Sequence, residues 1–96
     1  MIRKAAMTPD DAATLALQAL VWILGDEDRA VRLLALTGLD AGMLRERAGE
    51  RATHEAILDY LVAHEPDLVA CAEALAISPE LLAEAQQQLS GRPDWG

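Results

Sequence analysis

Thr8-Pro9-Asp10-Asp11-Ala12-Ala13-Thr14-Leu15-Ala16-Leu17-Gln18-Ala19-Leu20-Val21-Trp22-Ile23-Leu24-Gly25 is the stretch that decides the fold. Thr8 suits an N-cap and Pro9 the first helical position, where no backbone N–H is required. Asp10 and Asp11 follow at the positive end of the helix dipole. Gly25 marks the stop. Between these signals Ala12, Leu15, Ala16, Ala19, Leu20 and Ile23 recur at helical spacing, while Leu17, Val21 and Leu24 extend the apolar surface around the cylinder. Only Asp11, Thr14 and Gln18 form a polar edge, so a central, mostly buried helix is expected over residues 9–24.

Downstream the same punctuation repeats. Asp26 suits the cap of a second helix with Val31, Leu34 and Ala35 on its inner face, closed by Thr37, Gly38 and Leu39 in a left-handed glycine stop. Asp40 then caps a short third helix carrying Met43, Leu44 and Ala48, weakened by Gly42. Residues 49–52 read as a connector, with Thr53 capping a fourth helix whose Ile57, Tyr60 and Leu61 face inward. Pro66 forces a break near His64 and Glu65. A fifth helix follows to about Ala76 with Leu68, Val69, Ala72 and Leu75 as its apolar face. Ser78, Pro79 and Glu80 restate the opening signal for a sixth helix through Leu81, Leu82, Ala85 and Leu89, closed by Ser90 and Gly91.

Composition agrees: 52% of residues are hydrophobic, only 3% aromatic, and Phe is absent. The core must rest on Leu and Ala, which favour helices, since strand-favouring residues are scarce. The fold class expected is all-α, a compact orthogonal bundle of five to six short helices. Residues 1–7 are expected to be a flexible N-terminal segment, 8–90 a single helical domain and 91–96 a flexible tail.

Offsetting the chain against itself by 38 residues pairs Leu20 with Leu58, Trp22 with Tyr60, Val31 with Val69, Leu39 with Ile77, Asp40 with Ser78 and Leu44 with Leu82. Two readings stay open: two similar three-helix units, or the coincidence that Leu-rich helices of similar length align with anything.

The net charge of −8 disfavours polyanionic partners such as nucleic acid or anionic lipid. The imbalance lies in the second half: no Lys or Arg occurs from Ala52 to Gly91, where Glu55, Asp59, Glu65, Asp67, Glu73, Glu80 and Glu84 are acidic. Such acids either keep a Leu-rich surface solvated or form a docking surface for a basic partner. The single Cys71 permits no internal disulfide, and Arg3 and Lys4 are followed by no apolar leader core. No apolar run is long enough to span a bilayer, so a reducing cytoplasm is the expected compartment.

Motifs that would carry chemistry fail one by one. His54-Glu55 lacks the second His of the zinc-protease signature, since position 58 is Leu58. Asp26, Glu27 and Asp28 lack the spacing of a calcium loop and are explained as a cap with its dipole partners. Cys71 lies among Val69, Ala70 and Ala72 and reads as a buried small hydrophobe rather than a nucleophile served by His64. No catalytic, cofactor-binding or metal-ligating residue is assigned, and an enzyme is not expected. The span Cys71 to Leu82 has helix-turn-helix spacing, but its second helix carries Glu80 and Glu84 and no base, so phosphates would repel it. The corner Thr37 to Leu44 is followed by Arg45, Arg47 and Arg51, offset by Glu46 and Glu50.

The run Ala13 to Trp22 followed by Gly25-Asp26-Glu27 resembles the opening of a family of short alphaproteobacterial proteins classed as a domain of unknown function (DUF3572-like). Leu36-Thr37-Gly38, Leu44-Arg45, Ile57-Leu58-Asp59-Tyr60-Leu61, Ala70-Cys71 and Ser78-Pro79-Glu80 extend the resemblance over nearly all of the chain after Met7. Ala63, His64 and Glu65 depart from it, standing where an acidic pair belongs, and so does the tail after Ser90. The resemblance implies a bacterial, intracellular, helical protein and supplies neither a mechanism nor a functional residue.

The expected function is therefore a small non-enzymatic protein-interaction module, binding another protein or itself and no membrane. Its contact residues are expected around Trp22, Tyr60 and Trp95 or on the acidic face of Glu73, Glu80 and Glu84. The alternative is a nucleic-acid-associated regulator using one of the helical corners.

Overall fold

The computed structural model describes residues 7–90, and within them the chain is all helix and connection: α1 (Pro9–Leu24), α2 (Glu27–Thr37), α3 (Ala41–Glu46), α4 (Arg51–Ala63), α5 (Glu65–Leu75) and α6 (Pro79–Ser90). The fold is an all-α bundle, with no strand among the described residues. The flexible segments expected at 1–7, apart from Met7, and at 91–96, together with Trp95, lie outside the described residues.

The helix starts follow the side chains that satisfy otherwise unpaired N–H groups. Thr8 Oγ1 accepts from the Asp11 N–H at 3.1 Å, and Asp11 Oδ2 accepts from the Thr8 N–H at 3.1 Å, a reciprocal capping box. Asp26, Asp40 and Ser78 accept from the N–H groups of Arg29, Met43 and Leu81 in the same manner. α4 begins differently. Its first residue is Arg51, Glu50 occupies the cap position without a side-chain bond, and Thr53 is buried within the first turn. Thr53 is therefore not the cap that the sequence suggested, because packing outranks a local bond there.

Ala12, Ala16 and Ala19 are fully buried along one side of α1, and their small size lets neighbouring helices approach closely. α6 lies against α1, α4 and α5, burying Leu82, Ala85 and Leu89 among them. Ile23, Leu33, Ile57, Leu58 and Leu61 complete the core. At about 1.5–3 kcal/mol for each large apolar side chain taken fully out of water, these residues supply most of the drive to fold. Two polar clasps close the ends. Arg51 donates from Nε and Nη2 to the Leu89 carbonyl at 3.0 and 2.8 Å, satisfying an acceptor in the last turn of α6. His54 is buried, with Nε2 2.6 Å from the Ala48 carbonyl oxygen.

Three expected faces are corrected. α1 is central, touching α2, α4, α5 and α6, yet only one side of it is buried and Leu17, Val21 and Leu24 are open. On α2 the residue that enters the core is Leu33, while Val31 and Ala35 point outward and Leu34 is half-buried. On α5 the core residues are Cys71 and Ala72, and Val69 is half-exposed. A helix that is apolar on two sides does not reveal from its own periodicity which side a small domain can cover.

The 38-residue offset recurs in the first two helices of each half of the chain. α2 and α5 are each 11 residues long and start 38 positions apart; each ends at a left-handed residue, Gly38 (φ 75°) and Ala76 (φ 61°). Asp40 and Ser78 then cap the next helix, and Leu20 with Leu58, Ile23 with Leu61, Leu33 with Cys71 and Leu44 with Leu82 are buried pairwise. The packing is reciprocal, α1 meeting α5 as α4 meets α2. The chain thus divides into a first unit, α1–α3, and a second, α4–α6, alike in their first two helices. They differ in the third helix: α3 has 6 residues, whereas α6 has 12 and runs on into the centre.

Candidate functional site

The most unusual surface lies on the first unit. Leu17, Val21 and Leu24, spaced as one ridge of α1, are 38%, 73% and 48% exposed. Beside the ridge, Leu20, Leu24, Leu34, Ala41, Leu44, Arg45 and Ala48 line a cleft of about 300 Å³ between α1, α2 and α3. Arg45 is the single charged residue of that lining. One turn before Leu34 on α2, Val31 is 60% exposed. The cleft is therefore apolar and carries a cation at its edge, with exposed apolar side chains on both α1 and α2.

The repeat supplies a control within the same molecule. At the positions of Leu17, Val21, Leu24, Val31 and Ala35 the second unit has Glu55, Asp59, Val62, Val69 and Glu73. Three of the five are acids, and Gln86 donates to Asp59 at 2.7 Å. Val21, 73% exposed where Asp59 stands in the second unit, is therefore not held by packing. Such patches on small proteins mark contact surfaces.

The residues singled out from sequence do not converge on one place. Trp22 is half-buried at the C-terminal end of α1 beneath the Arg29 guanidinium, which stacks 3.7 Å from the ring centroid and donates to the Trp22 carbonyl at 3.3 Å. Arg29 Nε is buried without a hydrogen-bond partner. Tyr60, at the equivalent position of the second unit, is only 3% exposed. Its hydroxyl donates to Asp67 and accepts from Arg32, which also pairs with Asp67 at 2.7 Å. Burial, then the bond to Asp67, raises the Tyr60 pKa above its ordinary value of 10.0 against the pull of Arg32. Arg32 belongs to α2, so this cluster ties the two units together. Glu73, Glu80 and Glu84 are exposed on α5 and α6 and form no ion pair among the described residues.

The chemically suggestive residues are engaged in structure. Cys71 is fully buried, and desolvation pushes its thiol up to about 11, with Arg29 opposing and Asp67 adding to the shift. His54 faces the Ala48 carbonyl, while His64 lies against the Tyr60 ring, centroids 5.0 Å apart, with Nδ1 3.2 Å from the Tyr60 carbonyl oxygen. Among the described residues no group of three His, Cys, Asp or Glu side chains could hold a metal ion. A second cleft of about 260 Å³ between α2 and α4 is lined by Leu36, Thr37, Ala56, Asp59, Tyr60, Ala63 and His64. At the α5–α6 corner Ala72 and Leu82 are buried and Ile77 half-buried, as two packed helices require. Of the basic cluster after α2, Arg51 is committed to α6 and Arg45 borders the apolar cleft. No helix among the described residues is long and apolar enough to cross a membrane.

Sequence reasoning missed the cleft and the outward turn of Val31 and Ala35. The signal was present as an excess of apolar positions on α1 and α2 over what one buried face needs. A family model described as a protein of unknown function (DUF3572) matches residues 9–92 of the chain, from the first residue of α1 to beyond the end of α6. The chain belongs to that family. No curated protein and no solved structure matches it significantly.

Proposed function

We propose that this member of the DUF3572 family is a non-enzymatic protein-interaction module of the bacterial cytoplasm, of the alphaproteobacterial type its sequence resembles, docking through the open apolar face of its first unit. The observation that carries the reading is the contrast between Leu17, Val21 and Ala35 and the acids Glu55, Asp59 and Glu73 at equivalent positions of the second unit. Covering the ridge would release about 25 cal/mol for each Å² of apolar surface removed from water. The acidic residues Glu73, Glu80 and Glu84 then keep the opposite unit solvated and out of the contact.

The nucleic-acid alternative has less support, because α6 offers acids only and Arg51 is occupied by the Leu89 carbonyl. Affinity capture from native lysate with wild-type and Val21→Glu baits tests the reading. A partner, either another protein or the chain itself, is expected with the wild type and absent with the variant. Identical recovery with both baits contradicts the proposed face.

A further inference from the structure

Resting on that reading, we infer that the apolar cleft of the first unit is also the seat of this chain's own C-terminal segment, with the Trp95 indole in the cleft and Asp94 beside Arg45, so that a partner must displace it. The cleft, about 300 Å³ between Leu20, Leu24, Leu34, Leu44 and Ala48, has the size of one large side chain rather than of a folded surface. An indole has about 150–250 Å² of surface to bury, and its face attracts a guanidinium. The same pairing already occurs in this unit, where Arg29 stacks 3.7 Å from the centre of the Trp22 ring.

The end of α6 is within reach of the cleft. Gly91-Arg92-Pro93-Asp94-Trp95-Gly96 lies outside the described residues and follows directly on Ser90. Arg51 holds the Leu89 carbonyl at 3.0 and 2.8 Å and stands three residues from Ala48 in the cleft wall. With about 3.8 Å between successive Cα atoms and about 5 Å along the Arg51 side chain, the Leu89 carbonyl oxygen lies within about 20 Å of the Ala48 Cα. Trp95 is six residues beyond Leu89, a span of about 20 Å when extended, to which its own side chain adds. Charge separates this segment from the one at the other end. Residues 1–6 carry Arg3 and Lys4, of the same sign as Arg45, whereas Asp94 adjoins Trp95. A tethered indole also meets the cleft at an effective concentration on the order of millimolar, so a site too small to hold a free partner by itself suffices to hold it.

Methyl NMR spectra of the full chain, labelled at Leu and recorded beside those of Trp95→Ala, are the test. Trp95 lies beyond every described helix, so its replacement leaves the bundle intact. The expected result is a ring-current shift of the Leu24, Leu34 and Leu44 methyls in the full chain that is lost in Trp95→Ala. The shift should not change on dilution, as a contact within one chain requires. Arg45→Glu, set against Asp94, should release the indole and abolish the same shift, with helical circular dichroism unchanged. Methyls that do not respond to Trp95→Ala overturn the inference. A shift that fades on dilution, and so comes from another copy, or one that survives Arg45→Glu, overturns it as well. Each of these failures leaves the capture experiment with the Val21→Glu bait to decide the reading beneath it.

Discussion

Ala76 holds φ at 61° and bonds back from its N–H to Glu73, while the Ile77 N–H reaches the Ala72 carbonyl, the two bonds that close a left-handed helix end. A Cβ in that conformation costs about 1–2 kcal/mol, partly offset by the greater unfolded-state freedom of glycine. Ala76→Gly is therefore expected to stabilise the fold by about 0.5–1 kcal/mol in urea denaturation, and Gly38→Ala to destabilise it by a similar amount. No heavy atom lies within 4 Å of a Cβ built on Gly38, so the second effect tests backbone conformation without a clash. Cys71 gives a pH signature. Because the folded thiol titrates at about 11 against an ordinary 9.0, the folded state holds its proton more tightly than the unfolded chain. Its contribution to stability is complete below pH 9 and is lost as pH rises towards 11. Tyr60 shifts in the same direction and adds to the loss above pH 10. The urea midpoint should fall over that range, and Cys71→Ala should flatten the fall. At pH 8 a thiol reagent should react with Cys71 far more slowly in the folded protein than in urea; equal rates would contradict its burial.

Among the elements, α6 depends most on a contact made far along the chain. It has no basic residue in its last turn, and Arg51 from α4 supplies the donor that its Leu89 carbonyl needs. Arg51→Met is expected to cost about 1–2 kcal/mol and to speed amide hydrogen exchange selectively near residues 86–90. Much of the element map was legible in the sequence, because caps and stops are local chemistry. Thr8-Pro9, Asp26, Asp40, Pro66, Gly38 and Ser78-Pro79 each mark a boundary within one or two residues of where it falls. Which face of each helix turns inward was less legible. Val31, Leu34 and Ala35 form as good an apolar stripe as the one containing Leu33, and only the placement of α1 and α4 decides between them. The Thr53 position failed for a related reason: a cap residue and a buried polar residue look the same until a neighbour is packed against them.

At the scale of the whole molecule, the repeat explains both the architecture and the candidate site. Two units alike in their first two helices meet through α1, α4 and α6, the longer third helix of the second unit packing against both α1 and α4. The counterpart in the first unit, α3, stops at Glu46, and the cleft bordered by Leu20, Leu34 and Leu44 stands open beside it. The sequence contained the repeat and the surplus of apolar residues on α1. What it did not contain was the direction in which the surplus faces, a property of tertiary packing. Amide chemical-shift mapping of the isotope-labelled chain, across a dilution series and then with any captured partner, tests the central claim most directly. Changes confined to residues 17–24, 31–35 and 41–48 are expected. Changes centred on Glu73, Glu80 and Glu84, with the α1 ridge unmoved, would contradict it.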